Sequence, residues 1–584
     1  MKKNVLILLL LIAQTAYAQQ WLPEHKLLRR ITPRSERIQP APPQRPDFTP
    51  TQQPSAIRPA TKTATVTPGK YDKSARLLPS YVAPLLSSQW DQEGALRKMT
   101  PLIDGQHAPV GCVALAMAQV MHYWQYPIHG IGSLTYTDSL GCGQTLYADF
   151  STHYYEWDKM LDIYKDGLYT DEQANAGALL CSDCGISVRT QYGIDASGAE
   201  VIMQAVAMPQ YFGYDESTQI YFRDFYTKSE ITQMLKTELA DGRPVLTTGY
   251  NYNGGHAFVI DGYDENDWFH INLGNPDAPD DGDGWTPLEN LSPDSPRWTT
   301  PDSPESGLNI LQIFVLGVIP TNKPSATRQE NHIFAMDRME AIDTARYDTD
   351  IPMQICVHDL ANIGRNLHND SVSIMLTRND SIIAPLYTYD RHFMLEELDD
   401  TTYTDTISIL LPADLDNGKY KIQPMYRDGG TWTQVRTCTG TPNYLLLDAD
   451  SDRRTLQSDT ANTAYLTLED LVIPDLIING TAPEINLTLK NHNAEISGRI
   501  FLLMEPIDDI RKPFFLVRQG IYMQKDEVST RMFSKTKIYA PKTGTYRLRV
   551  LYSNSLFTDT LTELTTEYIE VSVLHASTIQ IAER

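Results

Sequence analysis

The run VALAMAQVMHYWQYP, starting at Val113, constrains the fold more than any other stretch of the chain. It predicts a helix that is apolar on nearly every face and stops before Pro127. Such a helix has no face to give to solvent, so it is expected to lie at the buried centre of a domain. Ala114, Ala116 and Ala118 let other elements approach it closely. Cys112 falls in its first turn, directly after Gly111, which permits a sharp backbone entry. The macrodipole and the free amides of a first turn favour the thiolate, the nucleophilic form of cysteine. A free cysteine also packs as a small hydrophobe, so its partner must decide between the two roles.

The chain has 584 residues and opens MKKNVLILLLLIAQTAYAQQ. Lys2 and Lys3, an apolar core from Val5 to Ala13 and the small-x-small site Ala16-Tyr17-Ala18 read as a secretory signal peptide cleaved after Ala18. No later stretch reaches the roughly 18 apolar residues of a spanning helix, so the expected product is secreted or cell-envelope associated. A net charge of −24 and a pI near 4.9 argue against nucleic acid or an anionic membrane surface as the main partner. The six cysteines are too sparse for a disulfide scaffold. The CSDC at Cys181 to Cys184 has redox spacing, but no second cysteine pair completes a zinc site, and its apolar flank points to a packed helix end.

Nine prolines between Pro33 and Pro68 make an extended tether of that stretch. From about Lys73 to Pro320, helical signals (Val113–Trp124, Asp171–Cys181, Ala199–Ala207, Ser229–Leu239) precede the strand-like runs RPVLTTGYN, GHAFVIDGY and DWFHINLG, the order of an α+β domain. Beyond Pro320, short alternating segments separated by Asn, Asp and Gly turns give the pattern of a β-sandwich, followed by a second copy. NGKYKIQPMYR and TGTYRLRVLYS place Tyr420 and Tyr546 in matching positions, the mark of tandem immunoglobulin-like modules. The predicted division is 1–18, 19–78, 79–322, 323–455 and 456–584.

The partner for Cys112 comes from NGGHAFVIDGYDENDWFHIN. His256 follows two glycines and opens an apolar strand, with Phe258 and Ile260 on its face. If the YDEND turn centres near Asp264, Asn272 of the returning strand lies opposite His256. An asparagine facing a histidine holds the imidazole in the right tautomer beside a thiol.

With these residues the chain resembles the streptopain family of papain-like cysteine peptidases. GCVALAMAQVMHYWQYP, DFSTHYYEWDKM, GRPVLTTGY, GGHAFVIDGYDENDWFHIN and LLSSQWDQ carry the resemblance, in order, from about Leu85 to Leu291. It implies a papain-like catalytic domain with Cys112 as nucleophile, His256 as base and Asn272 as the orienting residue. One oxyanion donor would be the Cys112 amide. For the second, Gln92 holds a family motif position and Gln106 has the usual papain-like spacing. The reaction calls for no metal or organic cofactor, and its substrates would be proteins or peptides.

The sequence also departs from that family. After the asparagine the family carries a Trp-Gly-Trp segment; here Leu273 and Asn275 replace both indoles, and Trp285 is the candidate to fold back over the histidine. Only a proline-rich stretch occupies the place of the usual folded inhibitory prodomain. The acidic loop of Asp277, Asp280, Asp281 and Asp283 has the carboxylate density of a calcium site without its full spacing or distal bidentate glutamate, so a solvated charged loop is expected. The reading is a secreted cysteine endopeptidase. Its rival is a catalytically weakened homologue whose sandwich modules bind host or cell-surface ligands.

Overall fold

A computed structural model describes residues 77–251, 254–275, 283–291, 307–324, 334–347, 350–364, 371–389, 403–428, 430–507, 513–533, 543–557, 561–567 and 569–574. Residues 1–18, expected as a signal peptide, and the proline-rich stretch from Pro33 to Pro68 lie outside these residues, as do Asp277, Asp280 and Asp281 of the acidic loop. No helix among the described residues is long and apolar enough to cross a membrane.

Among the described residues the first helix, α1 (Cys112–Trp124), is buried from Val113 to His122, as its sequence demands. Burial of each large side chain along it, such as Leu115 or Met121, stabilises by about 1.5–3 kcal/mol. Helix α2 (Asp171–Ser187) opens with a capping box on Thr170 and Gln173. It runs six residues beyond the predicted end at Cys181, so the CSDC lies within the helix and not at its end. Cys181 and Cys184 are buried and unbridged, and all six cysteines are free thiols. Helix α3 (Ile202–Phe212) starts three residues later than predicted, and α4 (Lys228–Ala240) has its own capping box on Thr227 and Glu230.

Against these helices lies one antiparallel sheet. Its strands are β1 (Gln219–Phe222), β2 (Val245–Asn251), β3 (Gly254–Tyr263), β4 (Trp268–Asn272), β5 (Gly284–Pro287) and β6 (Ile310–Leu316), in the order β5-β4-β3-β2-β6-β1. β6 enters between β2 and β1, an element that the sequence reading did not place. The α+β expectation holds, and α1 packs against both α2 and β3.

Two strand-rich modules follow. In each, two sheets face one another across a separate apolar core, one built on Ile355, Ile374 and Ile422, the other on Leu487, Ile500 and Leu548. Strand Arg454–Ser458 closes a sheet of the first module by pairing with Leu445–Ala449, so the junction falls after Ser458 and not at 455. Tyr420 and Tyr546 do occupy matching places, each buried at the third residue of a central strand.

The modules are welded to the sheet domain. Cys438, Leu556 and Phe557 belong to the same continuous apolar core as α1 and β3, and Phe557 packs on Phe225 at 6.0 Å. Arg436 donates to the Phe225 carbonyl and to Glu230, both at 3.1 Å. Gly520 N–H donates to Asn309 Oδ1 at 3.2 Å, and Tyr522 OH donates to the Asn309 carbonyl at 3.1 Å. A Cβ at position 520 would overlap the Asn309 carbonyl, so the two backbones touch there because the residue is glycine. Gly520→Val is expected to force this joint open at a cost of about 1–3 kcal/mol. A lower urea midpoint and faster limited proteolysis between domains would show it; an unchanged midpoint would mean that the joint is soft.

Candidate active site

The site forms where the first turn of α1 meets the start of β3. Gly111, at φ 90°, turns the chain into the helix, and a side chain there would crowd the Ser197 carbonyl at 3.2 Å. Cys112 is half-buried. Burial pushes its thiol up, but the hydrogen bond and charge of His256, with the Ala257 and Val113 amides, outweigh that and hold it below the ordinary thiol range. The sequence reading paired Cys112 with His256, and the structure brings them together.

His256 lies on β3 opposite Gly249 of β2, with the Phe258 ring stacked 6.4 Å away at 11°. Its Nε2 lies 2.8 Å from the Leu273 carbonyl oxygen. A carbonyl only accepts, so Nε2 carries the proton in the neutral ring. That leaves Nδ1 as the ring atom open to the thiol.

Asn272 is not where the hairpin arithmetic put it. The hairpin closes at Tyr263↔Phe269 and β4 is irregular between His270 and Ile271, so Asn272 pairs with Val259, three residues along from His256. Asp264 sets this longer turn: its carboxylate takes the Trp268 and Asn266 amides, each at 2.9 Å. Asn272 Oδ1 accepts from Gly274 N–H at 3.1 Å and from Gln119 Nε2 at 3.0 Å, while its Nδ2 donates to the Ser88 carbonyl at 2.9 Å. The group presented to the imidazole is a main-chain carbonyl. Because it comes from the backbone, replacing the family's indole by Leu273 leaves it in place.

Leu273 is held from its other side by Asp283, whose Oδ1 accepts the Leu273 amide at 2.9 Å. Burial raises the Asp283 carboxyl above its ordinary range, against the lowering effects of the Leu273 amide and of His270. The one described member of the acidic loop thus spends an oxygen on the polypeptide and is half-buried. Trp285 does not fold over His256: it pairs with His270 across the sheet, 5.3 Å ring to ring, and stacks on Tyr81 at 5.8 Å.

The two glutamines separate. Gln106 is exposed in a small hairpin, Leu102–Ile103 against Gln106–His107. Gln92 is half-buried, and its carbonyl accepts the Val110 amide at 3.0 Å, which ties it to the segment entering Cys112. The sequence reading missed Ser88, Gln119 and the Leu273 carbonyl. Gln119 left a signal, as a polar residue inside an otherwise apolar run; the carbonyl left none.

A thiol and an imidazole joined across a helix start and the start of a central strand, on this α+β scaffold, define a papain-like cysteine peptidase domain. Residues 90–281 match the Peptidase C10 family model. Streptopain of Streptococcus pyogenes is 32% identical over 268 residues, covering 43% of this chain and 66% of streptopain. The thiol protease/hemagglutinin PrtT of Porphyromonas gingivalis is 32% identical over 222 residues, 36% of this chain and 26% of PrtT. The active interpain A cysteine protease of Prevotella intermedia, a solved structure, shares 33% identity over 41% of this chain and 96% of its own, with a TM-score of 0.37. The chain belongs to the Peptidase C10 family of streptopain-like cysteine peptidases.

Proposed function

We propose that this chain is an active cysteine endopeptidase in which Cys112 attacks a peptide carbonyl and His256 Nδ1 takes the thiol proton. The acyl-enzyme then forms as the imidazolium returns that proton to the leaving amine, and His256 next activates the water that releases the acid. The Cys112 amide and the Gln92 side chain are the proposed oxyanion donors. One observation carries the reading: the Cys112 thiol at the first turn of α1 is hydrogen-bonded to His256, whose Nε2 is anchored 2.8 Å from the Leu273 carbonyl. The intact pair speaks against a scaffold that has decayed into a binding protein.

Protein or peptide chains are the proposed substrates, and residues 1–18 the proposed export signal. Residues 19–78 are proposed to hold the enzyme latent. The terminal modules read as immunoglobulin-like. In support, Tyr420 OH donates to the Asp416 carbonyl at 2.8 Å, the corner that such sandwiches build at the start of a central strand.

The test is labelling of the reduced protein with an epoxide inhibitor of papain-like peptidases, mapped by mass spectrometry, with and without residues 19–78. Stoichiometric adduct at Cys112 at pH 6–7 is the expected result. If Cys112 reacts no faster than the half-buried Cys142, whose thiol burial pushes up, the reading fails.

A further inference from the structure

We propose that Gln119 is a positioning residue for the catalytic histidine, acting through Asn272 and the Leu273–Gly274 peptide. The proposal rests on the peptidase reading and adds to it a residue that touches neither nucleophile nor base.

One continuous line of hydrogen bonds joins His256 to Gln119. The Leu273 carbonyl that accepts from His256 Nε2 and the Gly274 N–H that donates to Asn272 Oδ1 belong to one planar peptide group. Tilting that plane moves both bonds together. Donation of the N–H to Asn272 also polarises the carbonyl toward the imidazole. Asn272 is fixed in turn, because Gly274 N–H can only donate and the Ser88 carbonyl can only accept, so the amide has one permitted orientation. Oδ1 must therefore face a donor, and Gln119 Nε2 supplies it at 3.0 Å. The Ser88 hydroxyl occupies Gln119 Oε1 at 2.9 Å and closes a buried ring of Ser88, Gln119 and Asn272.

Gln119 is 1% exposed on the helix that begins at Cys112. Seven residues on is about two turns, or roughly 10 Å along the axis, which returns it to the same face. One rigid helix thereby sets the nucleophile at its first turn and, farther down, the height of the carbonyl that aims the base. Space also restricts that peptide: Gly274 sits at φ 69°, and a Cβ there would meet Leu115 at 2.6 Å. An unsatisfied amide buried beside Ala116, Ala118, Val120 and Met121 would be costly, so an apolar residue would fill this position more simply if packing were its only task.

Gln119→Leu removes the donor, and Gln119→Glu keeps the shape but sets a carboxylate oxygen against Asn272 Oδ1. The experiment reads the pH dependence of Cys112 alkylation by iodoacetamide from pH 4 to 9, with the adduct mapped, alongside kcat, KM and the thermal midpoint. For both variants the reactive limb should move to higher pH, and kcat at pH 7 should fall about tenfold with KM changed less than about twofold. Gln119→Glu should recover part of its deficit in acid, where a protonated carboxyl donates again. Folded variants with the wild-type alkylation profile and kcat would overturn the proposal, as would a loss of thermal stability with no shift of the profile. An ordinary thiol profile in the wild-type protein itself would instead sink the peptidase reading, so the two failures are distinguishable.

Discussion

His256→Ala is expected to convert Cys112 into an unreactive buried thiol. In the wild-type protein the upward push of burial is outweighed mainly by the hydrogen bond and charge of His256, with smaller help from the Ala257 and Val113 amides. Removing the imidazole leaves burial opposed only by the two amides, so the thiol rises to or above its ordinary value near 9. The thiolate fraction falls tenfold for each pH unit below the pKa. Alkylation of Cys112 at pH 6.5 should therefore drop and show one rising limb at alkaline pH. Peptide hydrolysis should drop further, by about 10³-fold or more, because the same ring supplies the proton to the leaving amine. A variant whose Cys112 still reacts fully at pH 6.5 would show that the helix start alone makes the thiolate.

The largest stability effect is expected at Arg243, far from the thiol. Its guanidinium meets Glu238 with Nε on Oε2 at 2.7 Å and Nη2 on Oε1 at 2.9 Å, and both residues are buried. Glu238 Oε2 also accepts the Gly317 amide at 3.0 Å, which ties the end of α4 to the end of β6. Arg243→Leu leaves a buried carboxylate without its cation, at a cost of about 3–5 kcal/mol, whereas replacing both partners by apolar residues should cost much less. Urea midpoints of the single variant and of the double variant with Glu238→Leu check this, and equal losses in the two would mean that the stranded carboxylate is not the cause.

The parts of the site that were legible in the sequence are the ones set by local chemistry. Val113 to Trp124 could form only a buried helix, and a glycine followed by cysteine at its head marks a candidate nucleophile that a partner must activate. Gly255-His256 opening an apolar strand is equally local. Asn272 is legible by identity but not by register. A turn centre only two residues off moves a cross-strand partner by four, and the irregularity at His270/Ile271 takes back one. Trp285 was misjudged for a related reason: its place opposite His270 depends on how β5 pairs with β4. The junction at Ser458 slipped because the hairpin from Leu445 to Ser458 has the same alternation as the strands on either side.

By itself, then, the sequence determined the buried helix with Cys112 at its head, the apolar strand that His256 opens, the order of helices before strands and the doubled strand-rich tail. All of these follow from side-chain periodicity and the chemistry of neighbours. The tertiary structure alone decided what holds the imidazole, because a main-chain carbonyl is present at every residue and carries no mark of its use. It also decided that Gln119 faces Asn272 and that Gly520 rests against Asn309. Each of those contacts joins residues more than 150 positions apart. Only the packed chain specifies such distances, since no local pattern encodes which distant backbone a residue will meet.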